Sequence, residues 1–245
     1  MGKIWNKLFG IREKHRPFCT AIVAAAGRSE RMNGENKLMM DLCGEPVLVR
    51  TLRALDQSAL VNEIVVAARE DLLLDVADLC SKAGLSKPIR VIKGGETRTA
   101  SVLAAATEVN PKTELIAVHD GARPLVRPEM IDAMIRRGEA TNAVAPAVPV
   151  TDTVKIADES GRVTGTPDRK TLFAVQTPQV FQASILKAAL TSALEAGVEL
   201  TDDCAAVERL GKEVYLTPGD PENMKITTPL DLAVAASILA QRAES

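Results

Sequence analysis

The sequence predicts an α/β fold: a mostly parallel sheet with helices on both faces and a β-arm projecting from it. Three observations carry this expectation. From Thr20 onward, short aliphatic runs alternate with longer stretches of helical periodicity, the pattern of strands joined by helical crossovers. The most unusual loops, rich in glycine and charge, all follow predicted strands. Between Ala143 and Val180 the rhythm gives way to extended, proline-bearing and turn-rich sequence.

Each element has its own reason. The run 21–25 is continuously small and aliphatic, as a strand buried on both faces must be, and a glycine-bearing loop follows it. Residues 46–55 place Leu48, Leu52 and Leu55 on one helical face. A second strand is expected at 63–68 and a second helix at 72–83. A short third strand at 89–92 precedes a glycine pair and a helix at 99–109, and a fourth strand, 115–118, ends at His119-Asp120. Right-handed crossovers then gather the strand-end loops on one edge of the sheet, where open α/β sheets bind ligands. This makes the fold Rossmann-like. Residues 143–150 are apolar with two prolines, 153–156 and 172–175 read as extended, and 157–169 is polar. That is an antiparallel arm, about 146–175, rather than a second domain. Helices at 183–196 and 202–210, a strand at 213–216 and a helix at 229–242 complete the chain.

Composition narrows the function. At 245 residues the chain can bury a large core within one catalytic domain, 18–245. A net charge of −2 gives no global attraction to nucleic acid, and 2% aromatic residues leave no base-stacking platform. Cys19, Cys43, Cys80 and Cys204 have no metal-ligand spacing and read as reduced thiols packed as small hydrophobes. No apolar run is long enough to span a membrane and no secretory signal pattern is present, so a cytoplasmic protein is expected. Residues 1–17 form a basic tail in which Lys3, Lys7, Arg12, Lys14 and Arg16 alternate with Trp5, Leu8, Phe9 and Ile11. A frayed terminus, or a helix docked on its own domain, is favoured over a membrane-surface or partner-binding helix.

Three loops carry the chemistry. Ala24-Ala25-Ala26-Gly27 leads to Arg31 and Lys37, so small residues that admit a phosphate to the backbone stand beside cations that neutralise it. The ending of a Walker loop is missing, as are the three glycines of a dinucleotide fingerprint. Gly94-Gly95-Glu96 opens a helix and can hold a base or phosphate by backbone groups. His119-Asp120-Gly121-Ala122-Arg123-Pro124 follows a buried strand; Asp120 and Arg123 suit a metal-bound phosphate and a second anion, and His119 is read as structural. The plain alternatives are a strand-to-helix turn with solvated charges and a surface ion pair.

Together with Thr151-Asp152-Thr153-Val154-Lys155, Gln176-Thr177-Pro178-Gln179, Thr201-Asp202-Asp203 and Asn223-Met224-Lys225-Ile226-Thr227, these motifs resemble one family. It is the 2-C-methyl-D-erythritol 4-phosphate cytidylyltransferases, over about residues 19–242. Two of the motifs are shared with ribitol-phosphate cytidylyltransferases. The resemblance implies transfer of CMP from CTP to 2-C-methyl-D-erythritol 4-phosphate, with Mg²⁺ or another divalent cation held mainly by the CTP phosphates. It implies that Ala25, Ala26, Gly27, Gly95, Glu96 and Ser101 bind the nucleotide. Arg31, Lys37, Arg169 and Lys225 are the catalytic cations, and Asp120, Arg123, Thr153, Thr177 and Thr201 bind the second substrate. It further implies a homodimer whose arms present Thr153 and Arg169 to the partner's site. Ser29 and Asn36 depart from the family pattern and touch loop conformation, leaving the cations in place.

The chemistry agrees with the implied roles. Both substrates are polyanions, so the reaction needs cations more than a protein nucleophile, and no Ser-His-Asp or Cys-His set is seen. Ribitol 5-phosphate or another polyol phosphate remains open as acceptor, and a CTP sensor without turnover is the non-enzymatic alternative.

Overall fold

The computed structural model describes residues 16–27 and 36–244. Among these, eight strands form one sheet. Its parallel part has the order β6 (Leu115–Asp120), β1 (Cys19–Ala25), β4 (Val61–Ala68), β5 (Ile89–Lys93). On the far side of β6 lies β11 (Gln179–Gln182), antiparallel to it and to β7 (Ala143–Pro149). Strand β10 (Phe173–Val175) also pairs with β7 antiparallel, and β12 (Tyr215–Pro218) pairs with β7 in parallel.

The alternation of strand residues assigns the two faces. Cys19, Ala21, Val23 and Ala25 of β1 point toward α1 (Val47–Gln57), α2 (Leu73–Lys82) and α4 (Pro128–Thr141), whose Leu48, Leu52, Val76, Ile131 and Ile135 join the same buried cluster. Ile22, between them, faces α3 (Arg98–Thr107), α5 (Ala183–Glu195) and α6 (Asp203–Arg209) through Val102, Leu186, Leu190 and Val207. Side chains of this kind each stabilise the fold by about 1.5–3 kcal/mol on full burial. A smaller cluster of Leu42, Val47, Leu125 and Ile226 receives Ala235 of the last helix, α7 (Pro229–Glu244). Phe181 is the one aromatic among the largest fully buried side chains, so the core is aliphatic, as the composition requires.

Several expectations need correction. Helix α4 was not expected; Pro128 sits in its first turn, where a missing N–H costs nothing, and does not break it. It packs so close to β11 that a Cβ at Gly138 would stand 2.6 Å from Val180 Cγ1. Strand β11 was likewise not expected, and it is central to the sheet. Residues 153–155 are not a strand: the arm's tip is a short hairpin of β8 (Ile156–Ala157) and β9 (Val163–Gly165). The last strand lies two residues later than expected. Cys19, Cys80 and Cys204 are buried and free as expected, but Cys43 is exposed. With Gly44 it makes the tight turn between β2 (Asp41–Leu42) and β3 (Glu45–Pro46), both at positive φ, 54° and 86°. Most of the proposed tail and Arg31 lie outside the described residues.

Candidate active site

The order of strands decides where a ligand can enter. From β1 the chain proceeds to β4 and β5 on one side, whereas β6 returns to the other side of β1. The crevice at this reversal, off the carboxyl ends of the strands, is the general binding place of open α/β sheets. A cavity of about 560 Å³ opens there. Ala24, Ala25, Ala26 and Gly27 form one wall, the turn from Lys93 to Arg98 with Ser101 a second, and Asp120, Gly121 and Ala122 a third. Lys37 and Lys225 reach it from separate loops, and Arg69, Glu70 and Asp71 complete the rim.

Backbone bonds hold the walls in place. Gly94 N donates to Ala68 O at 2.7 Å, Gly121 N to Ala24 O at 3.1 Å, and Ile226 N to Ala122 O at 2.8 Å, which brings Lys225 beside Asp120. Gly94 is required by packing: a Cβ there would stand 2.8 Å from Ala26 Cβ and 2.9 Å from Ser101 Oγ. Gly27 has open space where a Cβ would point. Thr97 caps α3 by accepting from Ala100 N, and Ser101 Oγ donates to Thr97 O at 2.8 Å.

Asp120 is the electrostatic centre. Its Oδ2 lies 3.1 Å from Lys225 Nζ and 3.3 Å from Arg123 Nε, and its Oδ1 lies 3.7 Å from Arg98 Nη2. Burial alone would raise its pKa, but the charges of Lys225, Arg98 and Arg123 outweigh that and hold it well below the usual carboxylate range. Asp120 therefore stays ionised.

Beneath it lies a buried polar net. The Thr177 hydroxyl accepts from Asp120 N at 3.1 Å and lies 3.0 Å from His119 Nδ1, while His119 Nε2 lies 3.3 Å from Arg123 O. This pattern assigns a neutral His119 that carries its hydrogen on Nε2. Burial pushes its pKa down to about 4. Asn223 Nδ2 donates to Thr177 O at 2.8 Å, and Arg123 Nη1 to Asn223 O at 2.8 Å, which ties the Lys225 segment to the end of β6.

The sequence-predicted residues divide accordingly. Ala25, Ala26, Gly27, Lys37, Gly95, Glu96, Ser101, Asp120 and Lys225 all line the cavity. Arg123 and Thr177 stand behind Asp120, and Thr177 is 4% exposed, its hydroxyl spent on His119 and the Asp120 backbone. Thr153, Arg169 and Thr201 are exposed and do not line the cavity within one subunit; Arg169 Nη1 donates to Thr151 O at 2.6 Å. Sequence reasoning gave no role to Arg98, three residues after the glycine pair, or to Asp203, with which Arg98 pairs at 2.7 Å. It also missed two rim pairs, Lys93 with Glu70 and Arg69 with Asp71.

A protein-family model for 2-C-methyl-D-erythritol 4-phosphate cytidylyltransferase matches residues 19–241. The chain belongs to that family. Among relatives of the same name, the protein of Caldanaerobacter subterraneus subsp. tengcongensis is 43% identical over 222 residues, covering 90% of this chain and 98% of its own. That of Symbiobacterium thermophilum is 41% identical over 226 residues, 91% of this chain and 94% of the relative. Among solved structures, the 4-diphosphocytidyl-2C-methyl-D-erythritol synthase of Anaerococcus prevotii superposes with a TM-score of 0.83 at 30% identity, covering 92% of this chain and all (100%) of that one. In this cytidylyltransferase the cavity, Asp120 and the loops beside it fall within the matched span. Among the described residues, no helix is long and apolar enough to cross a membrane.

Proposed function

We propose that this chain transfers CMP from CTP to 2-C-methyl-D-erythritol 4-phosphate and releases pyrophosphate. The observation that carries the reading is a cavity at the sheet's reversal point that joins the small-residue turn 25–27 to Asp120 and Lys225. The nucleotide lies along residues 25–27 and against Gly95, Glu96 and Ser101. An oxygen of the acceptor's phosphate, already ionised, attacks the α-phosphorus of CTP. A new P–O bond forms as the bond to the β-phosphate oxygen breaks, and both electrons of that bond leave with pyrophosphate. No proton need move at phosphorus, so the protein supplies position and charge. Lys37 and Lys225, with Arg31, offset the charge gathered on the pentacoordinate phosphorus.

A divalent cation belongs to this reading. The site suits one held chiefly by nucleotide phosphates: Asp120 is ionised at the cavity wall, and no group of three or more His, Cys, Asp or Glu among the described residues could hold an ion alone. When bound, such an ion lowers the negative charge of the nucleotide phosphates. Thr201, Thr153 and Arg169 take the acceptor, the last two from the partner subunit of a homodimer. Arg123 and Thr177 act on it through Asp120. The arm's exposed Ile156, Val163 and Phe173 favour a partner chain against it. A cytoplasmic setting fits the substrates.

The deciding experiment is pyrophosphate release with CTP, UTP, ATP and GTP, each against 2-C-methyl-D-erythritol 4-phosphate and ribitol 5-phosphate. CTP with the erythritol phosphate should be the best pair. Equal turnover with UTP would remove the cytidylyl assignment, and faster turnover with ribitol 5-phosphate would replace the acceptor.

A further inference from the structure

Arg98, the first residue of α3, reaches two carboxylates from distant parts of the chain with a single nitrogen. Its Nη2 lies 2.7 Å from Asp203 Oδ2 and 3.7 Å from Asp120 Oδ1. Lys225 and Arg123 engage the other oxygen of Asp120, so Arg98 is the cation on the Oδ1 side. Asp203 is only 1% exposed, and Arg98 is its one ion-pair partner among the described residues.

The positions matter as much as the distances. Arg98 directly follows the turn 94–97 that walls the nucleotide side of the cavity. Asp203 begins α6, directly after Asp202, which caps that helix by accepting from Ala205 N at 2.9 Å, and one residue beyond that lies Thr201. Arg98 Nη2 thus stands within reach of both carboxylates, Asp203 on one side and Asp120 on the other. We propose that Arg98 is a positioning residue that couples the nucleotide side to the acceptor side: Asp203 fixes its guanidinium, and the guanidinium fixes the direction of Asp120 Oδ1. The coupling rests on the functional reading above.

Stability alone does not explain the arrangement. A buried ion pair is often no more stabilising than well-packed apolar residues of the same volume, and its best-attested benefit is a fixed geometry. Two helices could be fastened by Leu against Leu. Such a contact would leave Asp120 Oδ1 without a neighbouring cation.

The test is a mutant cycle on the full-length protein: Arg98→Met, Asp203→Asn and the double variant, with Arg98→Lys as the conservative change. Steady-state kinetics give kcat and both KM values, and thermal melting identifies the folded fraction. Each single change should lower kcat by about tenfold or more in folded protein, the scale for lost support of a working group. The double variant should be no slower than the slower single, because both break the same link. Arg98→Lys should recover part of kcat. Additive losses in the cycle, or variants that melt earlier but keep wild-type kcat and KM once folded, would overturn the coupling. Calorimetric titration of CTP into the same proteins reads the link without turnover. Non-additive changes in CTP affinity support it, and unchanged or additive affinities refute it. A wild type that binds CTP but transfers nothing would defeat the functional reading and leave that titration to decide the coupling.

Discussion

Lys225 Nζ stands 3.1 Å from Asp120 Oδ2, although the two residues are 105 positions apart in the chain (225 − 120). Two hydrogen bonds arrange the meeting. Ile226 N binds Ala122 O, and the buried Asn223 side chain binds Thr177 O. The backbone that carries Lys225 is therefore held beside Asp120 by these contacts, its ammonium group is drawn to the carboxylate, and its side chain is still 40% exposed.

Replacing Lys225 with Met should consequently spare the fold and damage the reaction. The expected loss is roughly 10²-fold in kcat, the scale for removing one preorganised electrostatic contact to a transition state. Pyrophosphate release measures it, and the melting temperature should barely move. Turnover within a factor of two of wild type would make Lys225 a structural partner of Asp120 and nothing more.

His119 gives the protein an acid-side weakness. Its pKa is pushed down to about 4 by burial, whereas the unfolded chain protonates it near its ordinary value of 6.5. Above pH 6.5 neither state holds the proton. As pH falls from 6.5 toward 4 the unfolded chain alone takes it up, so stability declines through that window by up to about 3 kcal/mol. Asp203, whose pKa is raised by burial, works in the opposite sense, and Asp120 matters only below the ordinary aspartate range. Urea midpoints at pH 7.5, 6 and 4.5 should fall in wild type and fall less in His119→Gln. Parallel declines in the two proteins would remove His119 as the cause.

The arm makes the third prediction. Its tip pairs only two short strands, and Ile156 and Val163 are exposed at 56% and 54%, which is marginal for a hairpin on its own. Sedimentation should therefore show a dimer. Mixing the inactive variants Arg169→Ala and Lys37→Ala should restore part of the activity, because some mixed dimers pair an intact cavity with an intact partner arm. No recovery, with subunit exchange demonstrated by labelled chains, would place Arg169 outside the partner's site.

The parallel half of the sheet was legible because buried strands leave unbroken aliphatic runs such as Ala21-Ile22-Val23, and the loops that end them carry the cavity residues. Helix α4 went unrecognised although its buried Ile131, Met134, Ile135 and Gly138 hold the i, i+3, i+4, i+7 spacing of one helical face behind a proline suited to a first turn, so the signal was present in the sequence. Strand β11 offers only Val180 and Phe181 between glutamines, too short a run to declare itself. Within the site, sequence could name Thr201-Asp202-Asp203 but could not say which aspartate turns inward: Asp202 caps a helix, and Asp203 meets Arg98. Thr177 was placed on the substrate rim for a similar reason. A hydroxyl gives no sign in sequence of whether its partner is a ligand or a backbone N–H.

The central position of β1 has a consequence for how the protein is made. The strand leaves the ribosome first and is fully flanked only when β6 follows: Phe18 O receives Glu114 N, from a residue 96 positions later. At about 5–20 residues per second, one edge of β1 stays open for roughly 5–20 s. That edge belongs to a strand of almost uniformly apolar residues, Cys19 through Ala25, with every backbone group on it able to pair with a stranger. During those seconds the unpaired β1 edge is open to pairing between chains, an exposure that ends once β6 takes its place beside β1.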